Sequence, residues 1–253
     1  MISASDRLGK LIKWLFILIL LVLVAVAVTP LNLYYDYVKQ YARPLNLDGI
    51  SGSLVKGSAE SMNYMTAPLG QADWLLYPKS YNALGGQLRL RDQNYDLKFD
   101  LKKMNDDQHH FNQVNGYIDW DLIKPFAHLR YGKLDGYAQL NLSGIEYSRS
   151  NGLTRMSGTV VLQDFKMTQP SNKDLGLVTL TFETLSSGMV VGNFSSDSTV
   201  LNVSGSLYFH PLCWQLNVDI IPKAGHFEVD ALFNGVGEAR RGGGRRLNLA
   251  GFY

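Results

Sequence analysis

Gly136-Tyr137-Ala138-Gln139-Leu140-Asn141-Leu142-Ser143-Gly144 alternates apolar and polar residues between two glycines. A period of two puts Ala138, Leu140 and Leu142 on one face of a pleated strand and Tyr137, Gln139 and Asn141 on the other. The same opening, a glycine with apolar residues at the second and fourth positions after it, recurs at Gly86 (Leu88, Leu90), Gly116 (Ile118, Trp120), Gly158 (Val160, Leu162) and Gly205 (Leu207, Phe209). These side chains are expected on the apolar side of a sheet. A glycine at the start suits a turn with positive φ, and Asn115-Gly116 and Asp135-Gly136 read as hairpin dipeptides. The closing Leu-Asn-Leu-Ser-Gly returns as Leu201-Asn202-Val203-Ser204-Gly205 and Leu247-Asn248-Leu249-Ala250-Gly251. The expected fold is mainly β, a bent, mostly antiparallel sheet behind one N-terminal transmembrane helix. Alternation alone does not separate a closed sandwich from an open groove.

That helix is read from Trp14 to Val28, an unbroken apolar run behind Arg7, Lys10 and Lys13. Its 15 residues cover about 22 Å as a helix. Extension to Leu33 reaches the ~30 Å of a hydrocarbon core. With no further Lys or Arg until Lys39, the charge asymmetry orients the N-terminus to the cytoplasm and the rest to the far side. The expected organisation is a cytoplasmic head (1–10), an anchor (11–33), a juxtamembrane segment (34–48) and a β-rich exported domain (49–253), divisible into sheet modules 49–144 and 145–253. Ala25-Val26-Ala27 has the small-x-small form of a signal-peptidase site, but the length and apolar density of the run fit an uncleaved anchor better.

Of 24 basic and 22 acidic residues, the segment through Val28 holds Arg7, Lys10, Lys13 and Asp6, so the exported part carries 21 of each. Arg240, Arg241, Arg245 and Arg246 form one cluster and leave the body slightly acidic, without the basic field that nucleic acid requires. Cys213 is the single cysteine, so no internal disulfide forms and stability must come from a packed core.

Few other helices are expected. Leu31 to Arg43 continues the membrane helix with tyrosines near the interface, and Asp121 to Arg130 forms one short helix in which Pro125 must occupy an end turn. Met104 to Gln113 reads as a polar loop. The stretch Arg240 to Arg246, with three consecutive glycines, reads as a mobile tail unless a partner holds it. No catalytic constellation stands out. His109, His110, His128, His210 and His226 lack metal-site spacing, no Gly-x-Ser-x-Gly elbow occurs, and Asp119 and Asp121 flank Trp120 on what reads as a solvated strand face. No cofactor is expected.

Gly49-Ile50-Ser51-Gly52-Ser53-Leu54-Val55-Lys56-Gly57-Ser58-Ala59 resembles the Gly-Thr-Leu-Trp-Ser-Gly-Ala type segment that follows the membrane helix in the type II secretion system protein N family, with Val55 where that family has Trp. The resemblance continues through Ala72-Asp73-Trp74-Leu75-Leu76-Tyr77-Pro78, Leu84-Gly85-Gly86-Gln87-Leu88, the Gly116 strand with Leu122, Pro125 and Phe126, and Gly244-Arg245-Arg246-Leu247-Asn248-Leu249-Ala250-Gly251. It implies a non-enzymatic, single-pass inner-membrane subunit with its bulk in the periplasm of a Gram-negative bacterium. Its partners would be other secretion subunits and the membrane. A more distant resemblance to AsmA-like and lipopolysaccharide-bridge proteins implies an alternative, a lipid-binding module with an apolar β-groove. Under either reading Arg240, Arg241, Arg245 and Arg246 are candidate contacts for an acidic partner or lipid headgroups, and Arg7, Lys10 and Lys13 set membrane orientation.

Overall fold

The computed structural model describes residues 14, 17–18, 21, 24–25, 27–80, 83–104, 107–127 and 132–252. The chain divides into two compact units, Met1–Tyr77 and Pro78–Tyr253. The predicted anchor lies mostly outside the described residues, as do Arg7, Lys10, Lys13 and His128. Among the described residues no helix is long and apolar enough to cross a membrane. The helix expected to run on past Val28 is interrupted, because Pro30 forms an isolated bridge with Ser53 and a short 3-10 turn, Leu31–Leu33, precedes a separate helix, Tyr35–Ala42.

In the first unit β1 (Leu45–Asp48), β4 (Ser61–Tyr64) and β5 (Ala67–Pro68) make one antiparallel sheet, and the Tyr35 hydroxyl accepts a hydrogen bond from the Leu47 amide at 2.9 Å. Beside these in sequence, β2 (Ser51–Gly52) pairs with β3 (Lys56–Ala59), and β3 pairs with β6 (Gln71–Ser80), bringing two of the family-like segments together. Gly57 stands opposite Trp74, and a Cβ on Gly57 would come within 2.6 Å of the indole. The indole Nε1 donates to the Ser53 carbonyl at 3.1 Å, so the glycine makes room for a ring that ties the β2–β3 turn.

The second unit is one long antiparallel meander. Its strands are β7 (Ala83–Asp92), β8 (Tyr95–Met104), β9 (Gln108–Asp119), β10 (Lys133–Ser148), β11 (Gly152–Gln169), β12 (Lys173–Asp174), β13 (Leu177–Thr184), β14 (Val190–Asp197), β15 (Leu201–Phe209), β16 (Cys213–Pro222), β17 (Glu238–Ala239) and β18 (Arg245–Phe252). Hydrogen-bonded neighbours follow chain order from β7 through β16, except that short β12 hangs off β11; β18 then lies on β16 and β17 on β18. The stretch expected as a polar loop from Met104 to Gln113 is instead strand from Gln108 onward. Its register is set by neighbours on both sides, His109 lying opposite Met104 and Tyr147. Pairing outweighs the low β propensity of those residues.

The repeated glycines do not make hairpins. Gly86, Gly116, Gly136, Gly158 and Gly205 lie inside strands with φ between 117° and 148°. A Cβ on Gly116 would sit 1.9 Å from the Asp96 carbonyl oxygen, on Gly158 2.2 Å from that of Asn141, and on Gly205 2.1 Å from that of Asn217. These positions are kinks where the adjacent strand's backbone approaches too closely for any side chain, a device that bends sheets.

Alternation holds along the strands: in β15 Leu201 and Val203 are buried while Asn202 and Ser204 are exposed. One apolar cluster, with Leu134, Phe165, Met167, Leu175, Val178, Leu201, Val203 and Val218, is covered by the helix Phe227–Leu232 and the segment after it through Val229, Leu232, Phe233 and Val236. Trp120, expected in a strand, begins the helix Trp120–Ala127 instead and packs on Phe165 with ring centroids 5.4 Å apart. Pro125 falls in the last turn of that helix, where it removes the bond an N–H there would make to the Asp121 carbonyl, and the helix ends two residues later at Ala127. The second cluster, with Val114, Leu142, Met156, Phe182 and Val190 at its centre, draws half-buried Leu140, Val160, Leu207 and Phe209 from strands of the same sheet. Leu162 packs on the first cluster, and Leu88, Leu90 and Ile118 are half-buried.

Gly116→Ala should therefore destabilise the protein by about 3 kcal/mol or more, since strain at such φ alone costs ~1–3 kcal/mol and β8 must also shift. Gly144→Ala, at φ 59° with nothing within 4 Å of its Cβ, should cost about 1–2 kcal/mol. Urea unfolding of the two variants checks the ranking.

Candidate partner-binding surface

Among the described residues neither carboxylates nor histidines converge on a reacting centre. Asp119 ends β9, and its Oδ1 accepts from the Asp121 amide at 2.9 Å, so this acid caps the first turn of the helix that follows. His109 stacks on Tyr147 with centroids 6.0 Å apart, and His226 Nδ1 lies 3.0 Å from Lys173 Nζ, which also pairs with Glu228. Among the described residues no group of three or more His, Cys, Asp or Glu could hold a metal ion.

The arginine cluster is built into the fold. Glu238 lies opposite Arg246 and Ala239 opposite Arg245, making 238–246 a hairpin; the Arg240 amide donates to the Gly244 carbonyl at 3.1 Å and the Gly243 amide to the Arg240 carbonyl at 3.2 Å. Gly242, Gly243 and Gly244 take φ of 95°, 97° and 78°, which explains three consecutive glycines as turn residues and corrects the expectation of a loose tail. On β16, Asp219 faces Arg246 across the ladder and receives it bidentately, Nε to Oδ1 at 2.7 Å and the second nitrogen to Oδ2 at 2.8 Å. Arg240 Nε reaches the same carboxylate at 3.4 Å. The Arg246 hydrogen bonds, assisted by the charge of Arg240, hold the Asp219 carboxyl below its usual range, and Asp219 in turn raises Arg246. Arg245 donates to Asn234 Oδ1, while Arg241 is exposed at the turn.

Two arginines thus share one acid, and the hairpin keeps an excess of positive charge beside an open depression lined by Ser204, Asn217, Asp219, Arg246 and Asn248. Past Arg246 the outer side of β18 has no partner strand among the described residues. Leu249 is 49% exposed and Phe252 86%. Sequence reasoning located the arginines but missed the acid that organises them; Asp219 sits in the alternation Gln215-Asn217-Asp219 on the polar face of β16, which was its visible signal.

The described residues thus present a meandering antiparallel sheet with a polar face, an outer strand with exposed Leu249 and Phe252, and a charged hairpin beside it. The model of the family described as type II secretion system (T2SS), protein N, matches residues 43–248. The chain belongs to that family and is a component of type II secretion. No curated protein and no solved structure among those compared with it matches.

Asp219→Asn should loosen the hairpin, raising hydrogen exchange at the Arg240 amide about two- to fivefold at neutral pH, as expected for an exposed ion pair. Because the folded-state value of Asp219 is lowered, its stabilisation is complete above the ordinary carboxylate range near pH 4 and is lost as pH falls through the lowered value. The difference between wild type and Asp219→Asn should close over that acidic range.

Proposed function

We propose that this chain is a non-enzymatic, inner-membrane-anchored subunit of the type II secretion system, its β-rich part in the periplasm, assembling with other secretion components to support export of folded proteins. The observation that carries this reading is the family match over residues 43–248 directly behind an apolar run with basic residues on its N-terminal side. Of that run, the described Trp14, Ile17, Leu18, Leu21, Val24 and Val28 are helical with exposed side chains, as lipid-facing residues of an anchor would be. Arg7, Lys10 and Lys13 then hold the N-terminus in the cytoplasm. The organisation 1–10, 11–33, 34–48 and 49–253 follows from it.

One feature favours a second reading. In the unit Pro78–Tyr253 the apolar side around Val114, Leu142 and Phe182 is walled by strands of one sheet, with no second sheet in that unit among the described residues. The half-buried side chains around them, Phe99, Phe111, Leu140, Val160, Leu207 and Phe209 among them, suit acyl chains and support a lipid-binding role for the same sheet.

Alkaline phosphatase fused after Tyr253 should be active and a cytoplasmic reporter at the same point inactive. Deleting the gene should lower secretion of a reporter exoprotein and strand it, folded, in the periplasm. Normal secretion with altered outer-membrane permeability would replace the secretion reading by the lipid one.

A further inference from the structure

β18 is held on its inner side by β16 over its whole length, Leu247 opposite Val218, Asn248 opposite Asn217 and Leu249 opposite Leu216. Among the described residues its outer side pairs with β17 at Arg245 and Arg246, and Gly237, just before β17, stands against the Arg246 carbonyl and the Leu247 side chain. Beyond them Leu247-Asn248-Leu249-Ala250-Gly251-Phe252 presents a straight row of main-chain groups with no charge and no proline. Sheets ordinarily protect a free edge with lysines, prolines, bulges or a covering loop, because a bare one recruits another strand. We propose that this edge takes up an extended segment of another secretion subunit as an added antiparallel strand. This rests on the secretion reading and names the surface through which it acts.

The chemistry of the segment follows from the register. An added strand must continue both faces, with apolar residues opposite Leu247 and Leu249 and polar ones opposite Asn248 and Ala250. Running antiparallel, it brings its C-terminal end to Leu247, beside the hairpin where Arg240, Arg241, Arg245 and Arg246 outnumber Asp219 and Glu238. That end is acidic. The main-chain row supplies affinity, the alternation fixes phase, and the charge fixes direction and register.

A second copy of the chain fits less well. Its own β18, laid antiparallel, would bring Gly251 and Phe252 rather than an acid to the arginine hairpin.

The test uses the full chain in detergent micelles, with a photoreactive benzoylphenylalanine placed at Ala250 or, as control, at Gln139 on the polar face of β10. The probes are ten-residue peptides alternating valine and threonine and ending in two aspartates, in two lysines, or with prolines replacing the central valines. The aspartate peptide should form an adduct at position 250 and not at 139, the lysine peptide roughly tenfold less, and the proline peptide none. Equal adducts from the aspartate and lysine peptides, equal labelling at both positions, or crosslinking chiefly to a second copy would overturn the proposal. So would the absence of any peptide adduct at 250 when the protein's circular dichroism matches wild type. The outcome is independent of the secretion assay: a chain that binds the aspartate peptide while its deletion spares secretion keeps the edge and loses the secretion reading.

Discussion

The second unit depends on backbone-to-backbone approach at a few glycines. Where Gly116, Gly158 and Gly205 pass the carbonyls of Asp96, Asn141 and Asn217, the separations leave no volume for a methyl group, and φ near 117–148° is open to glycine alone. A strand kinked at these points turns its apolar residues toward those of strands farther along the meander. The ring contact of Phe182 with Phe209, 6.3 Å between centroids and two strands apart, passes over Gly192 of the strand between them, where a Cβ would come within 2.7 Å of the Phe182 ring. Side chains of one sheet can then bury one another, which a flat sheet would not allow.

The two ends of this apolar side are treated differently. Around Phe165 and Met167 the helix Phe227–Leu232 supplies a lid, and the contacting residues there are fully packed. Around Phe182 the partners are strand residues alone, many of them half-buried. The polar face carries cross-strand pairs such as Asp219 with Arg246 and Asp96 with Arg89, which set local registers without supplying a reacting group.

Much of this was legible in the sequence because period-two alternation is a local property. Leu201 to Phe209 reads the same in isolation as in the sheet. The five glycines were recognised as needing positive φ, but the dipeptides Asn115-Gly116 and Asp135-Gly136 carry the same local signal whether they turn a hairpin or kink a strand. What decides is the neighbouring carbonyl, brought there by pairing. The helix Phe227–Leu232 was missed although Val229, Leu232, Phe233 and Val236 follow helical spacing, since only six residues are helical and the period is short. At the candidate surface the arginines were legible as a cluster. Their anchoring was not, because Asp219 lies 27 residues from Arg246 and meets it through the ladder.

The order of strands in space has a consequence for how the protein is made. From β7 to β16 nearly every strand pairs with the one synthesised just before it, so sequence separation between partners stays short and loop-closure entropy is low. Such a meander needs no late-arriving segment to complete an early one. A chain delivered N-terminus first can zip up strand by strand as it emerges, each new strand covering the edge left by the last. Aggregation-prone edges are then exposed one at a time and briefly, and along the meander the stretch of β18 past β17 keeps an unpaired side among the described residues.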